Sequence, residues 1–220
     1  NLVKRKKRVA LVGYQFRFHP VLKQVAEWLD QKRIGRLISA HLFLGEYLPS
    51  WHPYEDYRQA HPARKDLGGG VLVTQIHEFD YALWFFGMPQ KVYAVGGHLS
   101  HLEVDVEDCV TVLMHCHYKG RPLPVTIEMD YLQSPPVRGC NIVGDEGRID
   151  WNFHKNEATL SHRPSGETDL CHFNKLERND YFTEQLKHFF AAMEGKVEPK
   201  IDLFEGAKSL RIALAARRSI

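Results

Sequence analysis

The chain has 220 residues, of which 44% are hydrophobic, 25% charged and 11% aromatic, with a formal net charge of +2. That balance belongs to an ordinary globular protein of one large domain or two small ones, and a charge so close to zero gives no electrostatic case for a nucleic-acid partner. No apolar stretch approaches the roughly 20 residues of a membrane span, and nothing resembles a signal peptide. Cys109, Cys116, Cys140 and Cys171 show no Cys-x-x-Cys spacing and read as the reduced thiols of a cytoplasmic protein.

In chain order, the basic run Lys4-Arg5-Lys6-Lys7-Arg8 reads as a solvated helix end or turn. Val9-Ala10-Leu11-Val12 has the continuous apolar pattern of a parallel strand covered on both faces, and Gly13 ends it. The next segment, Tyr14-Gln15-Phe16-Arg17-Phe18-His19-Pro20, would then lie at a strand's carboxyl end, where open α/β sheets bind ligands. Arg17 is either a cation for a polar ligand or a solvated arginine in an aromatic turn. Pro20 suits the first turn of a helix whose apolar stripe is Val21, Leu22, Val25, Trp28 and Leu29, closed by Gly35.

A strand over 36–48 leads into Pro49-Ser50-Trp51-His52-Pro53-Tyr54-Glu55-Asp56-Tyr57-Arg58, a loop rich in hydrogen-bonding aromatics and charges. It reads as a pocket rim, with a well-packed surface loop as the alternative. Then Gly68-Gly69-Gly70 runs into a helix with the stripe Leu72, Ile76, Phe79, Leu83 and Phe86. The glycines let a backbone or a ligand approach the helix start. A second stripe carries Val73, His77, Asp80 and Trp84, and residues three apart on a helix are neighbours, so His77 and Asp80 can meet. An imidazole with an ordinary pKa near 6.5 is a usable general acid or base, and Asp80 either orients it or braces a loop. A structural histidine is the alternative reading.

Strands follow at 91–95, 108–118, 123–132, 137–143, 158–162 and 169–173. Val125, Ile127, Met129 and Tyr131 alternate strictly with Thr126, Glu128 and Asp130, as in an antiparallel sheet with one solvated face or a wet oligomer interface. Lys119-Gly120-Arg121-Pro122 and Gly144-Asp145-Glu146-Gly147 are turn chemistry between strands. Two helices close the chain, one over 179–193 and one from the N-cap Asp202 through Leu203, Ala207, Leu210 and Leu214. His115 and His117 share a strand face, but no further ligand stands at metal spacing and no metal is expected. A serine elbow, a Walker loop and a Gly-x-Gly-x-x-Gly are absent.

The ordered set of segments resembles the carboxyl-terminal part of a Gfo/Idh/MocA-family oxidoreductase, the glucose–fructose oxidoreductase and inositol dehydrogenase group. The matching pieces are Val12-Gly13-Tyr14-Gln15-Phe16-Arg17-Phe18-His19-Pro20, Ile34-Gly35, Trp51-His52-Pro53, Asp56-Tyr57-Arg58, Gly68-Gly69-Gly70-Val71-Leu72 and His77-Glu78-Phe79-Asp80. Trp84 with Gly87, Glu107-Asp108 and Gly144-Asp145-Glu146-Gly147 complete the match. The resemblance implies an α+β fold with a large, mostly antiparallel sheet and helices on one face. Residues 1–20 would be a remnant of the dinucleotide-binding domain, including its last Rossmann strand, and residues 21–220 a substrate-binding and oligomerisation domain.

The same resemblance implies NAD or NADP as cofactor and a sugar, nucleotide sugar or cyclitol as substrate. It also implies a homodimer or homotetramer built through the open sheet face. His77 takes the place of the family's catalytic histidine, while Arg17, Tyr57, Arg58, Thr74 and Asp80 are expected in the substrate pocket. Thr74 stands where an aspartate is often found, and a threonine hydroxyl bonds a substrate without supplying charge. The family's Rossmann fingerprint and catalytic lysine would precede Asn1, so this chain alone is expected not to turn over. A non-catalytic binding or assembly module on the same fold is the rival reading, and a metal-dependent hydrolase is third.

Overall fold

The computed structural model describes residues 2–220, with Lys4 described by its backbone alone. Its helices are α1 (Leu2–Arg5), α2 (Pro20–Asp30), α3 (Val71–Thr74), α4 (His77–Phe86), α5 (Arg178–Met193) and α6 (Leu203–Ser219). Its strands are β1 (Leu37–Gly45), β2 (Lys91–Gly97), β3 (Cys109–Tyr118), β4 (Arg121–Asp130), β5 (Val137–Gly144), β6 (Gly147–Asn152), β7 (Glu157–His162) and β8 (Thr168–His172). The strands form one sheet in the order β2-β3-β4-β1-β5-β6-β7-β8, in which only β1 and β4 run parallel. The α+β architecture with a mostly antiparallel sheet is the one the sequence led us to expect.

Period-two alternation decides which side of this sheet is core. One cross-strand row pairs Val112, Ile127, Leu42, Cys140, Trp151 and Ala158, every one of them buried. Helices α2, α4 and α6 pack against the strands, and their apolar stripes complete one continuous cluster that includes Val21, Leu22, Phe79 and Ile212. The opposite face mixes polar groups such as Thr126 and Asn141 with exposed Tyr93, Leu113 and Leu170. Asp202 caps α6 as expected, its carboxylate accepting from the Phe204 and Glu205 N–H groups.

Three expectations change. Val9 to Val12 forms no strand; Val12 donates its N–H to the Ile201 carbonyl at 2.9 Å and packs beside Gly206 at the start of α6. No strand among the described residues lies alongside, and all four residues stay half-buried, with Val12 alone set against α6. The second change is β6, which sequence left undelimited because Gly147 and Asp150 diluted the apolar alternation of Ile149 and Trp151. The third is the helix expected from Leu72 to Phe86, which is two helices separated at Gln75.

The glycine run is explained by backbone, not by a ligand. A side chain at Gly69 would overlap the carbonyl oxygens of His61, Pro62 and Arg64, and Gly70 turns the chain at φ 104°. Arg217 of α6 pins the run by donating to the Gly69 carbonyl at 2.7 Å and to Glu107 at 2.6 Å.

His19, at the N-cap of α2, is fully buried with both ring nitrogens unpartnered. The rings of Phe16, Trp151, Phe153 and Tyr181 surround it at 5.1–6.1 Å. Burial pushes its pKa down to about 4. The unfolded chain therefore binds a proton below about pH 6.5 that the folded chain refuses, so stability is full above 6.5 and drains as pH falls towards 4. Between pH 7.5 and 5 His19 should cost about 2 kcal/mol. Urea midpoints at the two pH values should converge by about that amount in His19→Phe; equal slopes in both proteins would show that His19 is protonated without penalty.

Candidate active site

One cavity, of about 410 Å³, opens where the loop before α2, the α3–α4 junction, β5 and the start of α5 meet. Its apolar wall is aromatic, with Phe16, Trp51, Phe153, Tyr181 and Phe182. Polar groups converge from several elements: Gln15, Glu46, Thr74, His77, His154 and Arg178. Aromatic faces with a few fixed polar groups are the composition of a small-molecule site, and the volume suits a ligand of monosaccharide to disaccharide size.

His77 is the first residue of α4 and lies in this wall. Its ring centroid is 5.1 Å from that of Phe16, and its Nε2 lies 3.3 Å from the Gln15 amide nitrogen. If that amide donates to Nε2, the ring proton sits on Nδ1, which is buried without a partner. Burial first, and the positive Arg138 second, push the His77 pKa from its ordinary value down to about 3. The imidazole is thus uncharged at neutral pH, the form that accepts a proton, although it is a far weaker base than the ordinary value of 6.5 had suggested.

Of the residues expected at the site, the structure brings only His77 and Thr74 into the cavity wall. The Thr74 hydroxyl is buried next to the Tyr131 hydroxyl. Arg17 and Asp80 lie behind the wall and hold each other. Arg17 Nε and Nη2 donate to Asp80 at 3.0 and 2.8 Å, and Ser209 Oγ donates to the same carboxylate at 3.2 Å. Asp80 therefore braces α4 against the Tyr14–Pro20 loop and α6, and does not orient His77. Burial pushes the Asp80 carboxyl up while Arg17 opposes it.

Tyr57 and Arg58 also stand outside the cavity. Tyr57 accepts from the Glu103 N–H at 3.2 Å, and Arg58 is engaged by Asp56 at 2.8 Å and Glu103 at 3.1 Å on the exposed side of the loop. The rim reading of that loop is carried by Trp51 and His52. His115 and His117 do share a face, with ring centroids 4.9 Å apart. No group of three or more histidines, cysteines, aspartates or glutamates among the described residues is arranged to hold a metal ion.

Sequence reasoning missed Arg138, Glu46, His154 and Arg178. Arg138 had a signal: period two on β5 puts it on the same face as Cys140 and Ile142, and a cation on a buried strand face calls for an explanation. Glu46, His154 and Arg178 sit at element ends and turns, where no periodicity singles out a residue.

An open, mostly antiparallel sheet backed by helices, with a polar-aromatic cavity lined from several elements, defines an α+β domain with a pocket of small-molecule size. Residues 22–150, more than half of the chain, match the GFO/IDH/MocA C-terminal domain model, and the chain belongs to that family. A curated relative, "Putative oxidoreductase YteT" of Bacillus subtilis (strain 168), is 26% identical over 140 residues, which is 56% of this chain and 32% of that protein. Among solved structures, levoglucosan dehydrogenase in complex with NADH superposes with a TM-score of 0.84 at 17% identity, over 99% of this chain and 65% of that one. UDP-N-acetylglucosamine 3-dehydrogenase GnnA from Acidithiobacillus ferrooxidans gives 0.74 at 19% identity, over 100% of this chain and 64% of its own. An oxidoreductase from Agrobacterium radiobacter in complex with NAD+, L-tartaric acid and magnesium gives 0.75 at 16%, over 98% and 64%. The chain thus spans about a third of YteT and less than two thirds of these solved relatives.

Proposed function

We propose that this chain is the substrate-binding and oligomerisation domain of an NAD(P)-dependent oxidoreductase acting on a hydroxyl of a sugar, nucleotide sugar or cyclitol. The observation that carries this reading is an uncharged His77 in the wall of a polar-aromatic cavity of about 410 Å³. In it, a substrate hydroxyl would reach His77 and Thr74, with Glu46, His154 and Arg178 available to the remaining hydroxyls. The names and titles of the relatives, which include sugar-type dehydrogenases and NAD or NADH complexes, support the substrate class and the cofactor.

The glycine run does not itself make a dinucleotide cradle, because Gly69 packs against the carbonyl oxygens of His61, Pro62 and Arg64, and Gly70 against the side chains of Glu107 and Arg217. In this reading a separate dinucleotide-binding domain, joined through residues 1–20, holds the nicotinamide, which supplies the hydride acceptor or donor. Residues 21–220 supply proton transfer and substrate grip, and alone they do not turn over. Leu186, Phe190 and Met193 leave an exposed apolar stripe on α5 suited to such a domain. Tyr93, Leu113 and Leu170 on the open sheet face suit a homodimer or homotetramer. Among the described residues no helix is long and apolar enough to cross a membrane. The cytoplasmic setting proposed here rests on the four free cysteines.

A non-catalytic binding module is favoured by one observation, the lack of a carboxylate on His77 once Asp80 is held by Arg17. Sugar binding is tested by titrating the labelled protein with a panel of monosaccharides, sugar acids, nucleotide sugars and cyclitols. At least one class should shift amide signals around Trp51, Thr74, His77 and His154 while leaving the open sheet face still. A panel that moves none of them would sink both readings of the cavity.

A further inference from the structure

The break between α3 and α4 has no local cause. Helix kinks arise at proline, at glycine or serine pairs, at π-bulges or where another group intrudes, yet the sequence there is Val73-Thr74-Gln75-Ile76-His77. Gln75 leaves the helix at φ −102°, ψ 45°, and Ile76 re-enters it at φ −63°, ψ −16°. The turn must therefore be held from outside.

The group in place to hold it is Arg138, opposite Leu44 in the sheet and on its buried face. Arg138 Nη2 donates to Gln75 Oε1 at 2.7 Å, on the α3 side of the break. Its Nε lies 2.9 Å from Glu78 Oε1, on the α4 side, close enough for an ion pair though off the line of a hydrogen bond. The guanidinium sits over the rings of Phe16 and Phe153 at 5.0 and 5.6 Å, which fixes its plane. Gln75 and Glu78 are both buried, Glu78 completely.

A charge pair in such an interior is a poor source of stability, because desolvation offsets most of its attraction; what it can do well is select one arrangement. We infer that Arg138 is a positioning residue: by gripping Gln75 and Glu78 together it sets the break between α3 and α4, and so fixes where the head of α4, with His77 as its first residue, is seated in the cavity wall beside Thr74. His77, Asp80 and Trp84 share the unbroken helix α4, so the break leaves their relation unchanged; what it sets is the angle at which the head of α4 meets α3, and with it how His77 and Thr74 stand in the same cavity wall. Arg138 also lines the cavity beside His77 and adds to the burial that keeps the ring uncharged. The geometry stands by itself; its bearing on chemistry rests on His77 being the proton acceptor proposed above.

The test reads His77 directly, without turnover. In histidine-labelled protein the His77 ring signal is assigned by its loss in His77→Gln, and amide exchange is followed over residues 75–79. Arg138→Met strands Glu78 and risks unfolding, so it is made as Arg138→Met with Glu78→Leu, which removes both charges. That double variant should unfold cooperatively as the wild type does, yet show a displaced or split His77 signal. Exchange over 75–79 should rise about tenfold, the scale of one lost hydrogen bond. Gln75→Ala, which cuts one arm and keeps the ion pair, should move the same readouts less and decides the matter if the double variant does not fold. Arg138→Lys restores the charge to Glu78 without a second fixed donor, so it should recover stability but not the His77 signal. An unmoved ring signal and unchanged exchange in a folded variant overturn the inference. A moved signal combined with normal turnover of a His77→Ala parent would instead keep the clamp and remove the proton-acceptor reading.

Discussion

Replacing His77 by alanine in the parent enzyme should lower turnover by about 10²- to 10⁴-fold, the usual contribution of a positioned acid or base, while cofactor affinity stays close to wild type. The reasoning is local. Burial and Arg138 push both His77 and His154 down in the cavity wall, but at His154 Glu46 opposes the shift, whereas His77 falls to about 3; its uncharged ring has one lone pair for a substrate proton, the Nε2 pair that faces Gln15. Thr74 offers a hydroxyl and no such basicity. The guanidinium groups of Arg138 and Arg178 are donors with no acceptor atom. Steady-state rates of wild type and His77→Ala, with cofactor binding measured by fluorescence, make the test. Unchanged turnover would take His77 out of the mechanism, and undetectable turnover in the wild-type parent with every sugar class that binds would favour the non-catalytic module. The ring's low basicity adds a second expectation: the acid limb of the rate profile should lie well below pH 6.5, because His77 remains unprotonated there.

What the sequence disclosed follows from which physical signals are periodic. The alternation of Val125, Ile127 and Met129 against Thr126 and Glu128 is dictated by a sheet with one covered face, and that face is where the helices lie. The apolar stripe of α2 and the Asp202 cap are likewise local statements, and they survive in the fold. His77 was legible from its position after the glycine run. Arg17 and Asp80 were legible as important, but their partnership was not, since 63 residues separate them and nothing local says that they meet. A buried ion pair and a binding pair look alike in sequence: both are charges in an apolar setting.

The break at Gln75 was hidden for the same reason. Leu72, Ile76, Phe79 and Leu83 fit one helix perfectly well by spacing, and the group that interrupts it arrives from β5. Val9 to Val12 is a different case: an apolar run says only that it will be covered, and here it stays half-buried, pairs with no strand among the described residues and touches α6 through Val12.

Asp80→Ala should cost about 3–5 kcal/mol of stability, the penalty for stranding a buried charge, and with it a large fraction of the 5–15 kcal/mol a domain has in total. Arg17 has a side chain only 7% exposed and makes both of its short charge-assisted bonds to Asp80. Removing the carboxylate leaves the guanidinium one distant counter-charge, Glu205 at 3.5 Å, on α6 and itself engaged by Lys208. It also unties Ser209, so α4 and α6 lose a shared anchor. Asp80→Asn keeps the shape and removes the charge, so it should fall between wild type and Asp80→Ala. Replacing both partners, Arg17→Met with Asp80→Leu, should recover most of the loss, since an apolar pair of similar volume needs no desolvation. Urea unfolding of the four proteins separates the possibilities. A loss under 1 kcal/mol in Asp80→Ala would mean that Arg17 swings to Glu205 at little cost. The brace would then be adaptable, and the Tyr14–Pro20 loop would be held in place chiefly by its aromatic contacts to Trp151, Phe153 and Tyr181.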